Sequence, residues 1–348
     1  MRLGTGVVVG LVVATVLVHP LRAEPVTPNP YSVKLGMAQG PNTRALTQAA
    51  FAGAKDVGAT WTRLPFSWKD IEKTPGVFTW QAADQQVANA VAAGVAVLGT
   101  ITYTPDFANH PDCPDHPCAP APSMYDDFAR FSAKVAVRYK GKVDAWEIWN
   151  EPNETRFWRP APDPAGYAQM LDLTYETIKH YNPAAKVVLG GLSTHCTNSA
   201  DYMTWRTFMD GFYRAGGARF DAFAIHPYYA NNHPMHPTAC NPFYNLPTTK
   251  FYLNAHGDGH AKIWITEFGY KTGTRTGTVT PKVQGERLQQ ALGQVVKWTW
   301  VERMFVFAWM DFRAVGSDYI YSWGLNDRFG NAKISRGMLR SYVRSQGG

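Results

Sequence analysis

Two glutamates far apart in the chain sit in similar surroundings. One closes the run Trp146-Glu147-Ile148-Trp149-Asn150-Glu151-Pro152-Asn153, and the other lies in Trp264-Ile265-Thr266-Glu267-Phe268-Gly269-Tyr270. Each run is apolar and aromatic, as a buried strand is, and each carries its carboxylate at the carboxyl end. Two carboxylates facing one mouth are what cleavage of a glycosidic bond requires: one protonated to assist a poor alkoxide, the other ionised to attack the anomeric carbon. Their surroundings must then push the two pKa values apart. A single strand-end glutamate is more often a cap or a salt bridge; two in matching settings raise the case for chemistry.

The elements that would carry them recur along the whole chain. Strand-like runs cover residues 33–39, 60–66, 95–103, 143–150, 186–192, 220–228, 262–268 and 303–311. Amphipathic helical stretches lie between them, at 43–57, 126–139, 167–181 and 284–298, with a last one at 335–345. Eight continuous apolar strands with helical crossovers predict a parallel sheet covered on both faces. Eight such units predict an α/β fold, a single (β/α)8 TIM barrel. The rival, a doubly wound sheet, usually carries a Gly-rich phosphate turn after its first strand, and Gly40-Pro41-Asn42-Thr43 is not one. Glu151 and Glu267 then close strands four and seven, three units apart. The long segments 106–122, 229–246 and 313–323 follow strands three, six and eight, on the face where barrels build their sites.

Composition narrows the class. The chain has 348 residues, of which 18% are charged and 14% aromatic, which excludes a disordered chain, a collagen and a coiled coil. At this length about three quarters of the surface is buried, so a large core needs no staples. Residues 1–23 have the form of a signal peptide: Arg2, an apolar run from Val7 to Val18, and a small residue at Ala23. The mature domain would be 24–348, secreted or cell-wall associated; an uncleaved membrane anchor is the alternative, since Leu21 is not the small residue cleavage prefers. Removing Arg2 and Arg22 leaves 32 − 27 = +5. That mild charge suits an anionic cell-wall surface as a partner, and no basic stripe indicates nucleic acid.

Export bears on the four cysteines, which allow three pairings. The pairing expected is Cys113 with Cys118 and Cys196 with Cys240, because short loops close cheaply. A zinc site is the competing reading, with His116, His233 and His236 nearby, but the spacing fits no zinc pattern. The sequence also holds no Gly-x-Ser-x-Gly elbow and no His-x-x-x-His pair.

The motif Asn150-Glu151-Pro152, with Thr266-Glu267-Phe268-Gly269 later, resembles the retaining glycoside hydrolases of clan A, in particular families 5 and 39, the cellulase, mannanase and β-xylosidase relatives. Arg63, Trp68, Gly76-Val77-Phe78-Thr79-Trp80, Tyr103-Thr104-Pro105, His226-Pro227-Tyr228 and Trp309 fit the same resemblance over nearly the whole mature chain. It implies Glu151 as acid/base and Glu267 as nucleophile. It further implies that Asn150 binds the sugar hydroxyl beside the anomeric carbon and that Arg63 keeps Glu267 ionised. His226 and Tyr228 would orient the carboxylates, and Trp309 would floor the bound sugar. Catalysis would need neither metal nor organic cofactor. The substrate would be a poly- or oligosaccharide and the enzyme a monomer.

The plainer readings are an ion pair for Arg63, a core histidine for His226, and packing for Trp146, Trp149, Trp309 and above all Trp264. Glu147, one layer below Glu151, reads as a buried hydrogen-bonded group. Two departures from the families are expected: the 36 residues after Phe312 leave no room for a β-rich extra domain of the family 39 xylosidase kind, and Tyr103 stands where family 5 usually has a histidine. Xylan, glucan, mannan and furanosyl polymers therefore all stay open. The reading from another class is a non-catalytic glycan-binding barrel, which would lack one carboxylate. A wall-associated structural protein held by its N-terminal segment is the third.

Overall fold

The computed structural model describes residues 29–39, 46–113, 118–217, 219–230, 232–313 and 320–347. The expected signal peptide, His116 and most of the segment expected after the eighth strand lie outside them.

The eight expected strands are all present: β1 (Leu35–Ala38), β2 (Trp61–Ser67), β3 (Ala96–Thr102), β4 (Ala145–Asn150), β5 (Lys186–Ser193), β6 (Ala222–His226), β7 (Lys262–Phe268) and β8 (Val301–Phe307). They pair in sequence order, all parallel, and β1 closes on β8 with Gly36 opposite Phe305 and Ala38 opposite Phe307. The fold is a single (β/α)8 barrel, as expected. A two-stranded antiparallel ribbon, β9 (Phe312–Arg313) with β10 (Ile320–Tyr321), follows β8.

Helices fill the gaps between strands: α2 (Gln48–Val57), α3 (Trp68–Ile71), α4 (Gln81–Ala93), α5 (Tyr125–Arg138), α6 (Pro164–Tyr181), α7 (Trp205–Arg214), α8 (Leu246–Ala255), α9 (Pro281–Lys297) and α10 (Ile334–Ser345). Side-chain caps set several of their starts. Thr47, Asp163, Thr204 and Thr280 each accept a first-turn N–H, and Pro164 and Pro281 open α6 and α9 where a missing N–H costs nothing. Among the described residues no helix is long and apolar enough to cross a membrane.

The first strand is shorter than its apolar run. Asn29 caps a one-turn helix, α1 (Pro30–Lys34), by accepting from Tyr31 N and Ser32 N, so strand geometry begins only at Leu35. Helices α4 and α8 carry no marked stripe to announce them: α4 is rich in Ala and Gln, and α8 begins Leu-Pro. Helix α7 does carry one, with Phe208, Met209 and Phe212 buried on one face, and the expected helices left it out.

Two apolar layers build the domain. The larger lies between barrel and helices, around Phe66, Trp68, Phe128, Trp146, Trp149 and Phe208. The smaller fills the barrel with Ala38, Leu98, Ala145, Val188, Ala224, Trp264 and Phe305. Large and small residues alternate there: a Cβ on Gly36 would lie 2.5 Å from the Phe305 ring, so only glycine leaves room. At the amino end of the barrel the Arg303 guanidinium lies over both Trp61 and Trp264, and Trp264 Nε1 donates to Glu302. Trp264 is thus barrel packing, as its plainer reading held. The buried cluster of charged groups Arg63, Glu147 and His226 lies toward the carboxyl end.

Candidate active site

Strand β4 delivers its residues by breaking its own alternation. Glu147 points into the barrel and Ile148 outward, so strict alternation would turn Trp149 in and Asn150 out. Instead Trp149 has φ +76°, in the left-handed region that a bulky residue avoids at a cost of about 1–2 kcal/mol. Its ring is held outside the barrel between Phe128 and Trp158, and its Nε1 donates to Phe157 O at 3.0 Å. Asn150 then turns inward, where its Oδ1 accepts from Arg63 Nη2 at 2.8 Å. Glu151, also left-handed at φ +44°, donates its N–H to Gly191 O and aims its carboxyl at the mouth. Strained backbone of this kind persists where surrounding structure holds it, commonly at functional sites.

Arg63 on β2 organises the floor. Its Nε donates to Glu147 Oε2 at 2.6 Å, its Nη1 to Glu267 Oε1 at 2.5 Å, and its Nη2 to Asn150. Glu147 is completely buried, with further bonds from Thr100 Oγ1 and Gly191 N, which makes it the deeper structural group expected. An arginine can hold three acceptors this way because its donors form a rigid fork.

Strands β6 and β7 complete the cluster. His226 is fully buried; its Nδ1 lies 2.8 Å from Glu151 Oε1 and 3.9 Å from Glu267 Oε2, and its Nε2 3.0 Å from Thr266 Oγ1. The imidazole fits only because residue 191 is glycine: a Cβ there would lie 2.2 Å from Nε2. Tyr228 OH donates to Glu267 Oε2 at 2.9 Å. One oxygen each of Glu151 and Glu267 and one ring nitrogen of His226 lie within 4.8 Å of one another. That spacing could hold a cation, but Arg63 already supplies positive charge to Glu267, and the His226 ring faces Glu151.

The electrostatics separate the two glutamates. Burial lifts the Glu151 pKa above the ordinary carboxylate value; the hydrogen bond from His226 opposes this, while the charges of Glu154 and Glu267 add to it. Burial also pushes Glu267 up, but His226, Arg63 and the Tyr228 hydroxyl outweigh it, and its pKa ends below the ordinary value. Between the two values Glu151 holds a proton and Glu267 does not. His226 is pushed down by burial, yet the two carboxylates carry it above its usual value. The Tyr228 hydroxyl, buried beside Glu267, stays protonated.

Six of the expected residues thus meet in one cluster: Arg63, Asn150, Glu151, His226, Tyr228 and Glu267. Trp309 does not. Strand β8 ends at Phe307, so alternation does not carry to residue 309, and the Trp309 ring packs outside the barrel against Gly53 of α2 and under the Arg336 guanidinium. It is 3% exposed and belongs to the outer core. The aromatic surface beside Tyr228 comes from Phe307 and Trp323, whose rings lie 6.5 and 5.1 Å from it. Phe307 was legible, since Phe305 and Phe307 alternate inward together; Trp323 lies in a loop with no periodic signal. Tyr103, left-handed at φ +63° and 37% exposed, follows β3 directly at the same mouth.

Both expected disulfides are formed. Cys113 joins Cys118 and Cys196 joins Cys240, with Cα–Cα distances of 5.9 and 5.2 Å. His233 and His236 are exposed loop residues.

Comparison with known proteins agrees with the barrel fold. The chain superposes on a family 39 glycoside hydrolase from the gut symbiont Bacteroides cellulosilyticus with a TM-score of 0.72, at 20% identity over 92% of this chain and 65% of that one. A family 39 β-xylosidase from Caulobacter crescentus gives 0.65, at 16% identity over 92% and 72% of the two chains. Xylanase 10B from Thermotoga maritima gives 0.62, at 13% identity over 92% and 97%. The chain therefore spans just under two thirds of the first of these and nearly all of the last. These likenesses are of fold. Comparison with curated protein sequences finds no match. The family model of the glycosyl hydrolase catalytic core matches residues 122–333, a span that includes both strand-end glutamates, and the chain belongs to that family.

Proposed function

We propose that this glycosidase is a retaining β-glycosidase, with Glu267 as nucleophile and Glu151 as acid/base. The observation that carries the proposal is the unequal partnering of two adjacent carboxyls. Glu267 accepts from Arg63 and Tyr228, which favours its charge; Glu151 is buried near the carboxylates of Glu154 and Glu267, which favours its proton against the opposing hydrogen bond from His226. Oxygens within 4.8 Å support direct attack, since inverting enzymes keep their carboxyls about 6.5–9.5 Å apart to seat a water.

In the first step a Glu267 oxygen bonds to the anomeric carbon as the bond to the leaving oxygen breaks, and the Glu151 proton passes to that oxygen. In the second, Glu151 takes a proton from water, the water oxygen bonds to the anomeric carbon, and the ester to Glu267 breaks. The enzyme ends as it began. Arg63 is donor-only, so Asn150 turns its Oδ1 to it and keeps its NH2 for the sugar hydroxyl next to the reacting carbon. Phe307 and Trp323 take the stacking role that Trp309 does not fill. The substrate class is a β-linked glycan or glycoside, with xylan, glucan, mannan and furanosides as the panel to screen. The mature domain is residues 24–348, secreted as a monomer; two disulfides support export.

Proton NMR of an aryl β-glycoside during hydrolysis tests the reading. The β-anomer should form first and mutarotate later. Initial release of the α-anomer would overturn it. N-terminal sequencing of exported protein should begin at Glu24.

A further inference from the structure

A second carboxylate–imidazole pair lies beside Glu151, and neither member belongs to the machinery above. Glu154 follows Glu151 by one turn, with its N–H on Glu151 O at 3.0 Å. Its Oε1 lies 2.8 Å from His195 Nε2. The side chains are 17% and 28% exposed. Both are held from several directions. Glu154 bridges to Tyr202, and Thr155 N donates to Asp201 O. The His195 ring stacks on Tyr202 with centroids 3.6 Å apart, and the next residue, Cys196, is tied to Cys240. Two loops, after β4 and after β5, are thus braced so that one carboxylate stays near the acid/base. A surface salt bridge contributing only stability would need none of this bracing.

We infer that Glu154, held by His195, is a positioning residue: a fixed negative charge that tunes Glu151 through both half-reactions. The inference rests on the roles proposed above. In the free enzyme two negative neighbours, Glu267 and Glu154, oppose ionisation of Glu151. Forming the ester consumes the charge of Glu267. The charge of Glu154 is untouched, so Glu151 keeps affinity for a proton when it must take one from water. Burial pushes Glu154 up, but the bonds from His195 and Ser193 hold it below the ordinary range, so it remains charged while Glu151 cycles. The groups facing Glu151 are His226 from β6, Glu267 from β7, Tyr103 from the end of β3 and Glu154 from its own loop. Those facing Glu154 are His195, Ser193 and Arg156.

Glu154→Gln keeps the shape and removes the charge. On any substrate the wild type cleaves, the alkaline limb of kcat/KM, which reports Glu151, should move to lower pH by about 0.5–1, as removal of one like charge predicts. The acid limb, which reports Glu267, should stay within 0.2 of its wild-type position, a margin of roughly the precision of such profiles. His195→Ala, which frees the carboxylate to turn away, should move the alkaline limb the same way, and His195→Gln, which still donates, should restore most of it. A merely structural pair would lower the amplitude at all pH values and leave both limbs in place, and that result overturns the inference. Carbon-13 titration of the Glu151 carboxyl in wild type and Glu154→Gln reads the same coupling without turnover. A wild type inactive on every β-glycoside would sink the proposed function, whereas an active wild type with unmoved limbs and an unmoved carboxyl titration sinks only this inference.

Discussion

Arg63 Nη1 donates to Glu267 Oε1 at 2.5 Å while the Nε of the same guanidinium donates to buried Glu147 at 2.6 Å. One side chain therefore serves the site and the barrel together. Arg63→Lys keeps the charge and loses the fork. Glu267 must be ionised to attack, so activity is lost as pH falls through its pKa. That pKa lies below the ordinary value partly because of Arg63, so weakening the contact raises it. The acid limb of kcat/KM should move up by about one pH unit, and kcat should fall. Glu147, left poorly paired in the interior, should lower stability by as much as about 3–5 kcal/mol. A pH profile and a urea melt measure both, and an unmoved acid limb counts against the role given to Arg63.

The two aromatics at the end of β8 should separate cleanly. Trp309 is outer-core packing, so Trp309→Ala should cost about 3–5 kcal/mol and leave KM of the folded fraction alone. Phe307 is at the mouth, near Tyr228 and Trp323, so Phe307→Ala should lower kcat/KM about tenfold with a smaller loss of stability. The reverse pattern in melts and kinetics would restore Trp309 to the site.

The disulfides predict unequal effects. Cys113 and Cys118 are 5 residues apart, Cys196 and Cys240 are 44 apart. A cross-link constrains the unfolded chain more when the loop it closes is longer, so losing the second should cost about 2–4 kcal/mol and losing the first distinctly less. Denaturant midpoints of the two paired Cys→Ser variants compare them, and equal midpoints would contradict the loop argument.

What the sequence made legible follows from the physics of each signal. The eight strands were readable because strands buried on both faces are continuous apolar runs. Arg63, Glu147 and Glu267 were readable because a charged residue inside such a run needs a partner. The path of β4 was not: alternation assigns Trp149 inward, and only the packing of its ring against Phe128 and Trp158 forces the left-handed turn that brings Asn150 in. Trp309 failed for a related reason, since a period of two holds only while the strand lasts. Trp323, His195 and Glu154 sit in loops, which carry no period at all. The braces that place His195 and Glu154, a disulfide and a stacked ring pair, are tertiary.

The different partners of Glu151 and Glu267 make their removal separable. Glu267→Gln removes the nucleophile, so no glycosyl-enzyme forms with any leaving group, and activity should vanish on every substrate. Glu151→Ala removes only proton transfer. Natural glycans, whose leaving oxygens are poor, should be lost almost completely, while substrates with acidic phenols still pass the first step. The slow second step should then be relieved by azide, which needs no general base and fits the space vacated next to His226. Attack comes from the face opposite Glu267, so the product should be a glycosyl azide with the configuration of the substrate. Rescue of Glu267→Ala instead, with the opposite anomer, would exchange the two roles. Full activity in both variants would move the site elsewhere in the barrel.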